Sequence, residues 1–173
     1  MRILGIDPGS IITGYGIIDT DEKNNIYVTS GCIRVGKKSW PERLSVIFED
    51  LSELVDQFKP EVVAIEQVFV HKNVSSALKL GQARGVAIVA AARQGLPLAE
   101  YAPRQIKKAI VGYGGAEKPQ IQYMIQLLLG LSGVPQRDAA DALAIAICHA
   151  RSQRFETQVA PQLSSPGSTG GSS

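Results

Sequence analysis

Apolar residues recur along this chain with two different periods, and each change of period marks an element. Short apolar runs come first, at 2–7, 13–19 and 26–35, separated by the turn signals Pro8-Gly9-Ser10 and Asp21-Glu22-Lys23-Asn24-Asn25. Connections this short join antiparallel neighbours, so three strands in a meander are expected. Leu44, Ile47, Phe48, Leu51, Leu54, Val55 and Phe58 then repeat at three- and four-residue spacing, the single apolar face of a helix. Pro41 suits its first turn and Pro60 ends it. Val62-Val63-Ala64-Ile65 is a second buried run, and strand, helix, strand in that order implies a crossover to a parallel partner.

The second half reads as helices around one short strand. Residues 74–94 predict a helix rich in small residues (Ala77, Gly81, Ala83, Gly85, Ala87, Ala90, Ala91), which permit close helix contact in the core or across a dimer; core is the preferred reading. A strand at 96–101 is closed by Pro103, and a short helix at 104–111 carries Lys107 and Lys108. After the flexible Gly112-Tyr113-Gly114-Gly115, residues 118–131 form an amphipathic helix with Ile121, Met124, Ile125, Leu128 and Leu129 inward. The last helix spans about 137–152. From about residue 160 the Ser/Gly/Pro-rich chain has nothing to bury and is expected to be disordered. The expected organisation is one domain at 1–155 and a flexible tail at 156–173, with no internal repeat.

Bulk properties narrow the class. At 173 residues, with 45% hydrophobic and 20% charged residues, the chain is an ordinary globular domain and not a disordered one. A formal charge of +2 permits an anionic partner without demanding one. Cys32 and Cys148 are far apart and in no ligand spacing, as expected of reduced thiols. Asp7-Pro8-Gly9 interrupts the apolar N-terminus too early for a signal peptide, and the apolar stretch 85–92, bracketed by Arg84 and Arg93, is too short to span a bilayer. A soluble cytoplasmic protein is expected.

Two apolar strands end on acids, ILGID at Asp7 and VVAIE at Glu66. A carboxylate at the end of a buried strand is costly unless it is paired, hydrogen-bonded or bound to a cation. If the two strands are neighbours, both acids stand at the carboxyl-terminal sheet edge, where α/β proteins hold ligands. The last helix opens DAADALAIAICHA, which sets Asp138 and Asp141 on one face at its first turn. Each acid has a plain explanation by itself. Helix-start acids cap N–H groups and complement the dipole; an Asp before Pro-Gly shapes a turn; Glu66 could pair with a lysine. Their coincidence points to function. Four converging carboxylates repel unless divalent cations neutralise them. Hard oxygen donors, without a His or Cys cluster, favour Mg²⁺ or Mn²⁺ over Zn²⁺, and a pair of such ions suits phosphodiester hydrolysis.

GIDPGSIITGYG, the acid of VVAIEQVFV, YAPRQIKKAIVG, GAEKPQIQ and DAADALAIAICHA, in this order and spacing over residues 1–153, resemble the RuvC-type Holliday-junction resolvases of the ribonuclease H-like superfamily. The resemblance implies an α/β, ribonuclease H-like fold with a mixed five-stranded sheet, a three-strand antiparallel meander plus parallel strands, flanked by helices on both faces. It implies that Asp7, Glu66, Asp138 and Asp141 are the catalytic acids, holding Mg²⁺ (with Mn²⁺ as substitute), two ions per site. It also makes Lys107 and Lys118 catalytic lysines near the scissile phosphate, against the plain reading of solvated surface residues. Arg104 and Lys108 would be phosphate contacts. Phe69 matches an aromatic that stacks on an unpaired base near the crossover, the alternative being a core phenylalanine. The implied activity is paired, symmetric nicking of four-way DNA junctions in recombination and repair, leaving 5′-phosphate and 3′-hydroxyl ends. The implied partners are a second copy of the chain and a RuvA and RuvB branch-migration complex.

Two histidines stay outside this scheme. His71 reads as a loop residue, and His149, about 12 Å along the helix from Asp141, is a poor shared ligand. Rival readings are an actin-fold-like phosphotransferase, suggested by GIDPGS with Thr13-Gly14 but needing more chain than 173 residues, a junction-binding scaffold without catalysis, and a related nuclease acting on structured RNA.

Overall fold

Period-two alternation resolves into one five-stranded sheet. In the computed structural model, which describes residues 1–21, 23–68, 73–115 and 117–163, the strands are β1 (Arg2–Asp7), β2 (Ile12–Thr20), β3 (Asn25–Arg34), β4 (Val62–Glu66) and β5 (Leu98–Tyr101). Their order across the sheet is β3-β2-β1-β4-β5. The meander pairs antiparallel, whereas β1 with β4 and β4 with β5 pair parallel, as the connection lengths require.

Central β1 divides the core in two. Ile3 packs with Ile18, Val62 and Ala64 beneath α3 (Pro103–Val111), α4 (Lys118–Leu129) and α5 (Arg137–Leu163). Leu4 and Ile6 face the other way, with Ile17, Val63 and Ile65, against α1 (Trp40–Phe58) and α2 (Val74–Arg93). The predicted mixed sheet with helices on both faces is therefore the observed architecture. Among the described residues no helix is long and apolar enough to cross a membrane.

Local chemistry sets the helix ends. Ser39 and Glu42 form a capping box at the start of α1, the Ser39 N–H donating to Glu42 Oε2 at 2.8 Å. Lys59 closes the helix in the left-handed region at φ 49°, and Pro60 prevents continuation. The small residues of α2 divide by face: Ala83, Ala87, Ala90 and Ala91 are buried, as the core reading expects, while Gly81 is exposed. The last helix runs further than its apolar pattern predicts, to Leu163 rather than about 152. Arg154 explains the continuation. Its guanidinium donates to Thr20 Oγ1 and Asn25 Oδ1, both at 2.7 Å, and anchors the polar turns of α5 to the β2–β3 connection.

Helix α5 packs backbone to backbone on the two strands beneath it. A Cβ on Gly5 would collide with the Ala142 carbonyl and lie 2.9 Å from the Ala146 nitrogen; on Gly14 it would lie 2.5 Å from the Asp138 carbonyl carbon. Neither neighbour is a side chain that could swing aside. From Ala139 to Ala150 every residue of α5 but Asp141 is buried, which is the composition of a helix covered on all sides.

His149 is the buried imidazole of this helix, 4% exposed, and its Nδ1 is hydrogen-bonded to the Tyr101 hydroxyl at 2.8 Å. Burial holds its pKa below the ordinary 6.5.

Two outcomes follow from this packing. Gly5→Ala must push α5 off the sheet and is expected to cost about 1–3 kcal/mol, the usual range for overpacking, read as a lower urea midpoint with an unchanged slope. Because the folded state disfavours protonated His149, its contribution to stability is complete above pH 6.5 and declines as the pH falls through that value. The urea midpoint should therefore drop between pH 7 and about 5.5, and His149→Leu should lose that part of the pH dependence.

Candidate functional site

Strand register brings the first two acids together. Ile6 and Ile65 are partners across β1 and β4, so the next residues, Asp7 and Glu66, end adjacent strands at one sheet edge. By the alternation of the pleat, Asp7 lies on the face of Ile3 and Gly5, beneath α5, and Glu66 on that of Val62 and Ala64. Close seating of α5 supplies the third acid, since Asp141 immediately precedes the residue whose carbonyl rests over Gly5. The loop after Asp7 is closed by buried Thr13, whose hydroxyl donates to the Gly9 carbonyl at 3.1 Å.

Asp7, Glu66 and Asp141 line one narrow cleft of about 80 Å³ with Lys107, over apolar walls from Pro103, Ile106, Ile121, Ala144 and Ile145. The volume suits small ions and waters and is too small for a nucleotide. Lys107 arrives there because β5 ends opposite Glu66: Tyr101 is the register partner of Glu66, the Gln67 N–H donates to the Tyr101 carbonyl at 2.9 Å, and α3 begins two residues later. Lys107 is half-buried, whereas Arg104 and Lys108 are exposed on the same helix.

Asp138 stands on the other side of Asp7. Its backbone carbonyl lies over Gly14, which is the β2 partner of Asp7. The two charges meet at Cys32, the β3 partner of Gly14: the thiol pKa is raised first by burial, then by Asp138, with a smaller contribution from Asp7. The four predicted acids thus share one edge, with three in the cleft and Asp138 toward β2 and β3.

The donors that converge are all carboxylate oxygens, the set suited to a hard divalent cation. Among the described residues, no three His, Cys, Asp or Glu groups are already closed to the spacing of a bound metal. The residues thus match such an ion in chemistry, as an open cleft and not a closed cage.

Lys118 opens α4 by its backbone, and its side chain lies outside the described residues, as do Phe69 and His71. His149 is committed to Tyr101 and takes no part in the cleft. Arg84 is the residue that sequence reasoning missed. From α2 its Nε donates to the Glu66 carbonyl at 2.9 Å, and its Nη2 is 2.8 Å from Glu100 Oε2, so it braces the end of β4. An arginine at the middle of an Ala/Gly-rich helix was the available signal.

Comparison with known proteins gives the family. A family profile described as crossover junction endodeoxyribonuclease RuvC matches residues 3–149. The chain is 61% identical over 148 residues to the crossover junction endodeoxyribonuclease RuvC of Marinobacter nauticus, covering 86% of this chain and 85% of that one. To the Vibrio vulnificus (strain YJ016) protein of the same name it is 54% identical over 163 residues, 94% of each chain. The solved structure of Thermus thermophilus RuvC in complex with Holliday junction substrate superposes with a TM-score of 0.85 at 34% identity, covering 91% of this chain and 97% of that one.

Proposed function

The chain belongs to the crossover junction endodeoxyribonuclease RuvC family, and from that membership we propose that Asp7, Glu66, Asp138 and Asp141 hold the divalent ions with which it cuts four-way DNA junctions. Family membership makes it a Holliday-junction endonuclease of recombination and repair, dependent on divalent metal. The observation that supports the residue assignment is the shared cleft, in which three acids from two strands and a helix meet one lysine.

Mg²⁺, with Mn²⁺ as substitute and two ions per site, fits an all-carboxylate donor set. Such ions, when bound, supply an activated water and stabilise the leaving 3′ oxygen. Asp7, with acids on both sides of it, would hold such ions together with Glu66, Asp138 and Asp141. The apolar walls exclude bulk water and strengthen every charge interaction within the cleft. Lys107 offsets charge developing on the scissile phosphate, and Lys118 is assigned the same role by resemblance. Arg104 and Lys108, exposed on α3, contact backbone phosphates, and Phe69 stacks on an unpaired base.

The reaction leaves 5′-phosphate and 3′-hydroxyl ends. A two-fold symmetric junction calls for two equivalent sites, which a homodimer supplies. A RuvA and RuvB branch-migration complex as partner and a cytoplasmic location complete the reading.

Cleavage of a labelled synthetic junction in Mg²⁺ tests the assignment. Asp7→Asn should abolish nicking while junction binding in a gel-shift assay persists; unaltered nicking refutes it. Lys107→Ala should lower kcat by about 10²-fold, the scale of losing one charge-stabilising donor, with KM little changed. An undiminished kcat would remove Lys107 from the chemistry.

A further inference from the structure

The catalytic edge has a second basic flank, on the side away from α3. β3 runs in the same direction as β1, because both pair antiparallel with β2, so it ends at the edge that carries Asp7. Its last residue, Arg34, is exposed and is the register partner of Ile12, which follows the Asp7 loop. The Val35 N–H donates to the Ile11 carbonyl at 3.3 Å and ties the two connections together. Gly36 then turns the chain at φ 62°, and exposed Lys37 and Lys38 lead into α1.

This turn is held in shape. Arg43 reaches back from α1 and donates from Nε to the Lys38 carbonyl at 2.9 Å. Among the described residues, Arg34, Lys37 and Lys38 form no ion pair. The acid near them, Glu42, is occupied in the capping box with Ser39, although its carboxyl is also favoured by the charge of Lys38. Acids return only further down α1, at Glu49, Asp50 and Glu53, about 13 Å or more from its start. On this flank Arg34, Lys37 and Lys38 stand beside the edge that carries Asp7, and Glu49, Asp50 and Glu53 lie below them along α1. A polyanion crossing the cleft meets attraction along the edge and repulsion beneath.

We propose that Arg34, Lys37 and Lys38 form a second phosphate-binding strip that holds a junction arm on the β3–α1 side of the cleft, opposite the basic face of α3. The proposal rests on the junction-cutting reading above and adds a binding surface to it. Arg43 is a positioning residue that stiffens the turn.

Fluorescence anisotropy of a labelled synthetic four-way junction, titrated in EDTA from 50 to 200 mM salt, tests binding apart from chemistry. Removing the cation that neutralises one duplex phosphate should take about 0.9 from the slope of log K against log salt. The triple variant Arg34→Gln/Lys37→Gln/Lys38→Gln should therefore bind at least tenfold more weakly, with a slope shallower by about 2–3. Arg34→Lys/Lys37→Arg/Lys38→Arg should restore both, which separates loss of charge from loss of fold. Lys59→Gln, at the far end of α1, should leave the slope unchanged. A wild-type slope in the triple variant, or an equal drop with Lys59→Gln, overturns the strip. Wild-type cleavage of the same junction in Mg²⁺ is scored separately. Cleavage with an unchanged triple-variant slope sinks the strip and leaves the family activity standing, whereas no cleavage sinks the junction reading on which it rests.

Discussion

Everything at the acidic edge of the sheet depends on how closely the backbone of α5 lies on the backbones of β1 and β2. Glycine at positions 5 and 14 lets the carbonyls of Ala142 and Asp138 occupy space that any side chain would fill. With α5 so low, Asp141 is brought over the end of the sheet instead of standing above it. The alanines of the helix serve the same end. Ala139, Ala140, Ala142, Ala144, Ala146 and Ala150 are all buried, and short side chains let a covered helix approach its neighbours on every face. Small residues on both partners thus exchange side-chain volume for proximity, and the charged groups inherit the geometry.

That geometry carries an electrostatic cost. Three carboxylates in a narrow cleft with apolar walls repel one another, and each loses water by being there. Two cationic groups answer in part. Lys107 lines the same cleft, and Arg84 is bonded to the carbonyl of Glu66 from behind the strand. Their placements differ in consequence. Arg84 is paired with Glu100 and fixed to backbone, so it braces; Lys107 ends a flexible stem in the open cleft, where it can follow a phosphate. Strands and helix thus bring the carboxylates to one cleft from three separate elements.

Most of the fold was legible because its signals are local. Turn lengths set the meander, the three- and four-residue period gave α1, and a strand–helix–strand order forced β4 parallel to β1. The acids were legible as a set because two strands with the same apolar run end in the same way. What escaped was set by interactions distant in sequence. The end of α5 was placed too early because Arg154 finds its partners some 130 residues away, and the apolar pattern had already stopped. The contact at the glycines of β1 and β2 escaped as well, since nothing in ILGID or ITGYG shows that a helix backbone will rest on them. Arg84 read as the flank of an apolar stretch because its partners, Glu66 and Glu100, lie on two separate strands. The division among the acids, with Asp138 beyond Asp7 and the other two beside it, follows from the way α5 crosses the sheet, which the spacing of Asp138 and Asp141 does not encode.

The same edge logic extends to the surface. In a sheet whose central strands run toward the site, several connections start or end there: among the described residues, the loop after β1, the turn after β3 and the start of α3. The first supplies Asp7, the second Arg34, Lys37 and Lys38, and the third Arg104 and Lys107. Apart from Glu42, which is held in the capping box with Ser39, the acids of α1 begin two turns or more along the helix. With a formal charge of only +2 the whole molecule is close to neutral, so attraction to DNA cannot come from its total charge. The topology that gathers the four acids at one edge also brings basic residues to either side of them.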